Sequence, residues 1–269
     1  MRVAVVQMNS RDDKPANLAK AEALLAEAAA RGAELVVLPE LWSYLGPKDR
    51  HARVAEPIPG PTSDFLGGIA RRHRLWLVAG SYLEAVADQP RLFNTCLVLS
   101  PAGEIVARYR KLHLFDVDVG GHSYRESATM AAGGEVVATD LGGVRVGLTI
   151  CYDLRFPEIY RRLAVGGAKI ITVPSAFTRE TGKDHWEVLL RSRAIENQVF
   201  ILAAAQVGSH PPGRACYGNA LIADPWGVVL ARAGYQECVV TAELDLEYLE
   251  QVRKELPSLE HRRTDLFAF

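Results

Sequence analysis

Cys151 closes the apolar run Val144-Arg-Val-Gly-Leu-Thr-Ile150, and Tyr152-Asp-Leu-Arg-Phe-Pro157 then carries the chain towards a helix. A thiol on such a strand-to-helix turn sits near backbone N–H groups and a helix N-terminus. Both favour a thiolate and can bind a developing oxyanion. A buried structural cysteine is the ordinary alternative, and Cys96, inside the apolar stretch Thr95–Leu99, fits it better. Cys216 and Cys238 read as structural or surface thiols. Glu40 follows the run Glu34-Leu-Val-Val-Leu-Pro39, where a carboxylate can act as general base or serve as a cap or ion-pair partner. Lys111 lies in Ala107-Arg-Tyr-Arg-Lys-Leu-His-Leu-Phe115, which also reads as a solvated basic strand. Taken singly, none of the three decides anything.

Other chemistries lack their residues. There is no Gly-x-Gly-x-x-Gly or phosphate-binding Gly-x-x-x-x-Gly-Lys-Ser/Thr loop, and no Gly-x-Ser-x-Gly elbow. The four cysteines form no Cys-x-x-Cys pair, and the seven histidines do not cluster at ligand spacing, so a metal site is not expected. Lysine and arginine number 31 against 32 acids, a net charge of −1, which gives nucleic acid no basic face. The longest apolar run, Val199 to Ala205, is far too short for a membrane span. With no signal-peptide pattern behind Met1, the expectation is a reduced, cytoplasmic protein.

These residues must be held by an α/β framework. Of the 269 residues, 49% are hydrophobic and 23% charged, as in ordinary globular proteins. Apolar runs predict strands at Val3–Val6, Glu34–Leu38, Trp76–Gly80, Thr95–Leu99, Val144–Ile150, Ile170–Val173, Phe200–Ala205, Ile222–Val229 and Val239–Leu244. Helical spacing predicts helices at Asn17–Arg31, Ser63–His73, Pro157–Val165 and Trp186–Asn197. Arg31-Gly-Ala-Glu-Leu-Val-Val-Leu-Pro39 is echoed by Gly166-Gly-Ala-Lys-Ile-Ile-Thr-Val-Pro174. The echo fits two similar βαβ halves packed as one domain, or chance recurrence of a common unit. No Gly/Ser-rich or Pro-rich linker divides the chain, and residues 1–269 read as a single domain.

In their order and dressing, Leu-Pro-Glu40, Tyr-Arg-Lys111-Leu-His and Ile-Cys151-Tyr-Asp-Leu-Arg-Phe-Pro-Glu158 resemble the Glu-Lys-Cys signatures of the nitrilase, or carbon–nitrogen hydrolase, superfamily. The resemblance implies a four-layer αββα sandwich and dimers formed through the helix after the cysteine. It implies Cys151 as nucleophile, Glu40 as general base and acid, and Lys111 with the Tyr152 backbone amide as oxyanion stabilisers. Glu126, in Arg125-Glu-Ser-Ala-Thr129, matches a second family glutamate that orients the lysine and the substrate amide. Arg155 matches an arginine that grips a substrate carboxylate, helped by Phe177 and Thr181; a structural pair with Asp153 or Glu158 is the alternative. Asp184-His-Trp-Glu187 and Asp224-Pro-Trp-Gly227 match segments that pack and turn.

The activity implied is hydrolysis of a small, carboxylate-bearing amide through a thioester, with no cofactor. Pro174-Ser-Ala-Phe177 and Ala203-Ala-Ala-Gln-Val-Gly208 lean towards the branch that cleaves deaminated glutathione into 2-oxoglutarate and cysteinylglycine. The ω-amidase branch, acting on 2-oxoglutaramate, tends to carry glycine where Ser175 stands. N-carbamoyl amino acid or nitrile hydrolysis lies further off. A catalytically silent interaction protein is the reading from another class.

Overall fold

The computed structural model describes residues 1–267. Its architecture follows from alternation in strands buried on both faces. Along Arg2–Met8, Val3 and Val5 point to one apolar cluster, while Ala4, Val6 and Met8 point to another. Leu35 and Val37 divide from Val36 and Leu38 in the same way, as do Cys96 and Val98 from Leu97 and Leu99. With side chains alternating across a strand, this sheet needs a cover on each side. Helices Lys14–Ala30 and Pro61–His73 cover one face through Ala21, Leu25, Ala28, Leu66 and Ile69. A second sheet covers the other through Val146, Leu148, Ile150 and Ile170, and is itself backed by helices Pro157–Val165 and Arg179–Asn197. The result is the four-layer αββα sandwich.

The larger sheet has nine strands, with Arg2–Met8, Leu35–Val37 and Trp76–Val78 parallel at its centre. In the six-stranded sheet the parallel centre is Val144–Leu148, Ile170–Thr172 and Phe200–Ala203. The sequence echo marks the second strand of each βαβ unit: one helix crosses from Arg2–Met8 to Leu35–Val37, another from Val144–Leu148 to Ile170–Thr172. Gly147 lets the second helix sit close, since a Cβ there would lie 2.9 Å from Leu163. Asp13 caps the first helix, accepting a 3.0 Å hydrogen bond from the Ala16 N–H.

Three expectations need correction. Phe200–Ala205 is not one strand: Phe200–Ala203 belongs to the six-stranded sheet, and Ala205 opens Ala205–His210 in the nine-stranded one. Ile222–Val229 is not one strand but the two arms of a hairpin, Leu221–Ala223 and Val229–Arg232. Asp224 Oδ1 accepts from the N–H groups of Trp226 and Val228 at 2.9 and 2.8 Å, and Gly227 takes φ +83°. The helix expected from Trp186 begins at Arg179. Its first turns are polar and lack apolar periodicity, and Gly182 is there because a Cβ would lie 2.4 Å from Tyr217. The hairpin Asp116–Val119/His122–Arg125 and the pair Ala205–His210/Arg214–Tyr217 carry too few apolar residues to be read from pattern, whereas the helix Leu246–Glu255, capped by Asp245 and with Leu246, Leu249 and Val252 at helical spacing, was legible and missed.

Candidate active site

In open α/β sheets, sites form outside the carboxyl ends of the strands, and both halves deliver residues there. Glu40 follows Leu35–Val37, Cys151 follows Val144–Leu148, and Ala176 and Phe177 follow Ile170–Thr172. Lys111 is the first residue beyond the antiparallel strand Ile105–Arg110, and Glu126 the first beyond the hairpin arm His122–Arg125. Glu40, Lys111 and Glu126 are 3%, 2% and 9% exposed, so Lys111 is not on a solvated face.

The Lys111 ammonium donates to Glu40 Oε1 at 2.8 Å and to both oxygens of Glu126 at 3.2 and 2.9 Å. Glu40 Oε2 accepts from the Ala176 N–H at 2.8 Å, and Glu126 Oε2 from the Phe115 N–H at 2.7 Å. Asn94 spans the two carboxylates, donating to Glu40 at 2.9 Å and Glu126 at 3.3 Å. Burial pulls Lys111 down, yet Glu126 and Glu40 outweigh it and hold the ammonium well above its ordinary value. A charged lysine is therefore built in.

Cys151 faces this cluster with a backbone φ of +47°, a region non-glycine residues enter rarely and mainly where the surroundings enforce it. Its N–H donates to the Pro174 carbonyl at 2.9 Å, linking the two strand ends that bear the site. The turn after it is a short 3-10 segment, Cys151–Arg155, before the helix proper starts at Pro157. The expectation of a favoured thiolate is reversed. Burial first, and then the Glu40 carboxylate, push the thiol well up, while Lys111 pulls against them. The resting sulfur is a neutral thiol beside a base.

Cys151 and these charged groups line a cavity of about 430 Å³. Tyr152, Arg155, Phe177 and Thr181 line it too, so all the expected substrate-side residues come together. Arg155 pairs with neither Asp153 nor Glu158. Its guanidinium lies 5.1 Å from the centre of the Phe177 ring and donates to His185 Nδ1 at 3.3 Å. Phe177 rests on buried Trp186, ring centres 5.1 Å apart, and Thr181 shares a 2.8 Å hydroxyl contact with Thr178. Among the described residues, no group of three or more His, Cys, Asp or Glu is placed to hold a metal ion.

Sequence reasoning missed Asn94, whose signal was a polar residue in an otherwise apolar strand, and the Ala176 N–H, which no side-chain pattern reveals. It also left Cys216 as a stray thiol, although Cys216 lines the cavity.

A family model for carbon–nitrogen hydrolases matches residues 2–254. Deaminated glutathione amidase of Synechocystis sp. (strain PCC 6803 / GT-S) is 46% identical over 264 residues, spanning 96% of this chain and 97% of that protein. Omega-amidase NIT2 of Homo sapiens is 37% identical over 268 residues, 99% of this chain and 96% of its own. The crystal structure of Saccharomyces cerevisiae Nit3, a member of branch 10 of the nitrilase superfamily, superposes with a TM-score of 0.89 at 33% identity, covering 98% and 96% of the two chains. The chain belongs to the carbon–nitrogen hydrolase family of the nitrilase superfamily. Its class of reaction is accordingly amide hydrolysis.

Proposed function

We propose that residues 1–269 act as one catalytic domain in which Cys151 attacks the carbonyl carbon of a small, carboxylate-bearing amide. Glu40 takes the thiol proton as the C–S bond forms. The negative oxygen is met by the Lys111 ammonium and the Tyr152 N–H, donors of a kind typically worth about 3 kcal/mol each at the transition state. Glu40 then returns the proton to the leaving nitrogen as the C–N bond breaks, leaving a thioester. Water, losing its proton to Glu40, attacks the thioester; the C–S bond breaks, and the proton returns to sulfur. Glu126 keeps Lys111 charged and aimed throughout. The step sequence requires no metal or organic cofactor.

The observation that carries this reading is the Glu40 carboxylate, fixed by Lys111 and the Ala176 N–H beside the Cys151 thiol at one cavity. A cavity of about 430 Å³ falls in the ordinary range for small-molecule sites, roughly 300–1,000 Å³. On the acyl side, Arg155, with Phe177 and Thr181, would hold the carboxylate of a 2-oxo acid. The relative at 46% identity favours deaminated glutathione, cleaved to 2-oxoglutarate and cysteinylglycine. The human relative keeps a second reading open: 2-oxoglutaramate, with ammonia leaving.

Steady-state comparison separates the two. We expect kcat/KM at least about tenfold higher for deaminated glutathione, roughly 1.4 kcal/mol. Equal or reversed preference moves the assignment to ω-amidase. Cys151→Ala removes turnover while the fold survives; retained activity sinks the mechanism and reopens the silent interaction-protein reading.

No helix of the described residues is long and apolar enough to cross a membrane, and we place the protein in the cytoplasm. We also propose a homodimer. The interface would include the helix Pro157–Val165; exposed Val188 and Ile195 of the helix Arg179–Asn197, with Trp226 and Val228 of the turn that Arg191 contacts, add apolar surface. Light scattering that returns a 29.5 kDa species at micromolar concentration contradicts it.

A further inference from the structure

The cavity holds more positive charge than the catalytic cluster and one acyl carboxylate need. Beyond Glu40 and Glu126, which Lys111 answers, the lining carries a single carboxylate, the exposed Asp49. Against it stand three further cations, Arg155, Lys48 and Arg214, all half-buried. None of the three has a carboxylate within ion-pair distance among the described residues. Lys48 spends one N–H on the Arg125 carbonyl, which leaves two of its three donors free. Arg214 sits over an aromatic ring, its guanidinium carbon 4.6 Å from the centre of Tyr124.

Lys48 and Arg214 meet at neighbouring residues of the arm His122–Arg125, Lys48 on the Arg125 carbonyl and Arg214 over the Tyr124 ring. Tyr124, under Arg214, packs on Phe115 at 5.0 Å, and Phe115 packs on Tyr152 at 5.0 Å, so two rings separate Arg214 from the turn that bears Arg155. Lys48 feels Arg214 directly: its ammonium is pulled down by burial and then by that guanidinium, with Glu126 and Asp116 opposing. Two like charges without an ion-pair partner on one wall of a cavity repel each other, and an anion bound between them relieves the cost. The backbone fixes both positions. Arg214 opens the strand Arg214–Tyr217, in register with His210, while Lys48 starts the 3-10 turn after Pro47.

The geometry points to Lys48 and Arg214 as a second carboxylate site, which reads the free C-terminus of a peptide leaving group while Arg155 holds the acid on the acyl side. The inference rests on the peptide-amide reading above and deepens it. A substrate with an acid at each end engages both cationic poles. One that releases ammonia engages only the first. Arg214 and Lys48 are then specificity residues, with no part in bond making or breaking.

The test compares two substrates that differ only at the far end: 2-oxoglutaryl-cysteinylglycine and its C-terminal carboxamide. For the wild-type enzyme we expect kcat/KM at least about tenfold higher for the acid, the effect of one charge-assisted hydrogen bond. Arg214→Gln and Lys48→Gln should each bring that ratio towards one, and Arg214→Lys should retain part of it. The ratio is internal to each preparation, so partial loss of folded enzyme cancels. A wild-type ratio near one, or a ratio that survives both glutamine variants, overturns the second site and leaves the substrate reading standing. A wild-type enzyme that hydrolyses 2-oxoglutaramate but neither peptide overturns the substrate reading, and the second site with it.

Discussion

The Tyr109 hydroxyl donates a 2.6 Å hydrogen bond to the fully buried carboxylate of Asp153. It thereby ties the strand that leads into Lys111 to the turn that begins with Cys151. Asp153 also accepts from the Ile150 N–H at 2.8 Å, the His113 N–H at 3.1 Å and the His113 ring at 2.7 Å. The His113 ring in turn stacks on Phe156, centres 3.6 Å apart. Two segments distant in sequence are thus clasped by one carboxylate that touches no substrate. Burial and Asp153 keep the Tyr109 hydroxyl far above its ordinary value, so it remains a donor.

Tyr109→Phe should therefore act on position alone. Losing a hydrogen bond to a buried charge costs about 1.5–3 kcal/mol, a fall in Tm of several degrees for a chain of this size. We expect kcat to fall more than KM rises, because the guanidinium of Arg155, on the same turn, has its own contacts with Phe177 and His185. An unchanged kcat would reduce the clasp to a stability element.

The neutral resting thiol makes a second prediction, with a definite sign. Glu40 disfavours the thiolate and Lys111 favours it. Alkylation of Cys151 by iodoacetamide should keep rising above pH 9 with no plateau near neutrality. In Glu40→Gln the midpoint moves down; in Lys111→Met it moves up. A wild-type plateau already reached at pH 7 would mean a resting thiolate and would contradict the proton transfer assigned to Glu40.

This reversal marks where sequence reasoning stops. Glu40, Lys111 and Cys151 are legible only jointly, through an order and dressing that resemble the family's signatures, since singly each has an ordinary reading; the βαβ echo marks the two sheet centres. Strand alternation in Arg2–Met8 and Leu35–Val37 carried the layering. The protonation balance was not legible, because it depends on burial and on three charges brought from separate strands. Asn94 escaped for a related reason: its meaning lies in bridging Glu40 and Glu126, neither of which is near it in sequence. Lys48 and Arg214 lie in segments with no apolar period, so nothing in the pattern placed them on a common wall.

Removing the shared cation gives a third prediction. Lys111→Met leaves Glu40 and Glu126 facing each other with only Asn94 between them. Breaking a buried pair in this way costs about 3–5 kcal/mol, measurable as a lowered urea midpoint. Turnover should fall by at least about a hundredfold from the lost oxyanion donor. The double variant Lys111→Met/Glu126→Gln, with one carboxylate neutralised, should regain part of the stability and none of the activity. Stability that does not recover would show that packing, not charge, is what the lysine supplies.

Arg155 provides the last. Its guanidinium lies over Phe177, its one hydrogen-bond partner among the described residues is His185 Nδ1, and it lines the cavity without a carboxylate of its own. An arginine so placed keeps its two-pronged donor face for a ligand, and a planar fork on an aromatic ring matches a carboxylate bidentately. Arg155→Ala should lower kcat/KM for deaminated glutathione and 2-oxoglutaramate alike, by about 2–4 kcal/mol, since both present the same acid at that end. Arg155→Lys should recover little, because an ammonium offers a point charge and no fork. The equality of the two losses is the sensitive readout. A loss confined to the peptide would mean that Arg155 grips the leaving group, which would exchange its role with that of Lys48 and Arg214. Normal kinetics on both substrates would make its contacts with Phe177 and His185 purely structural.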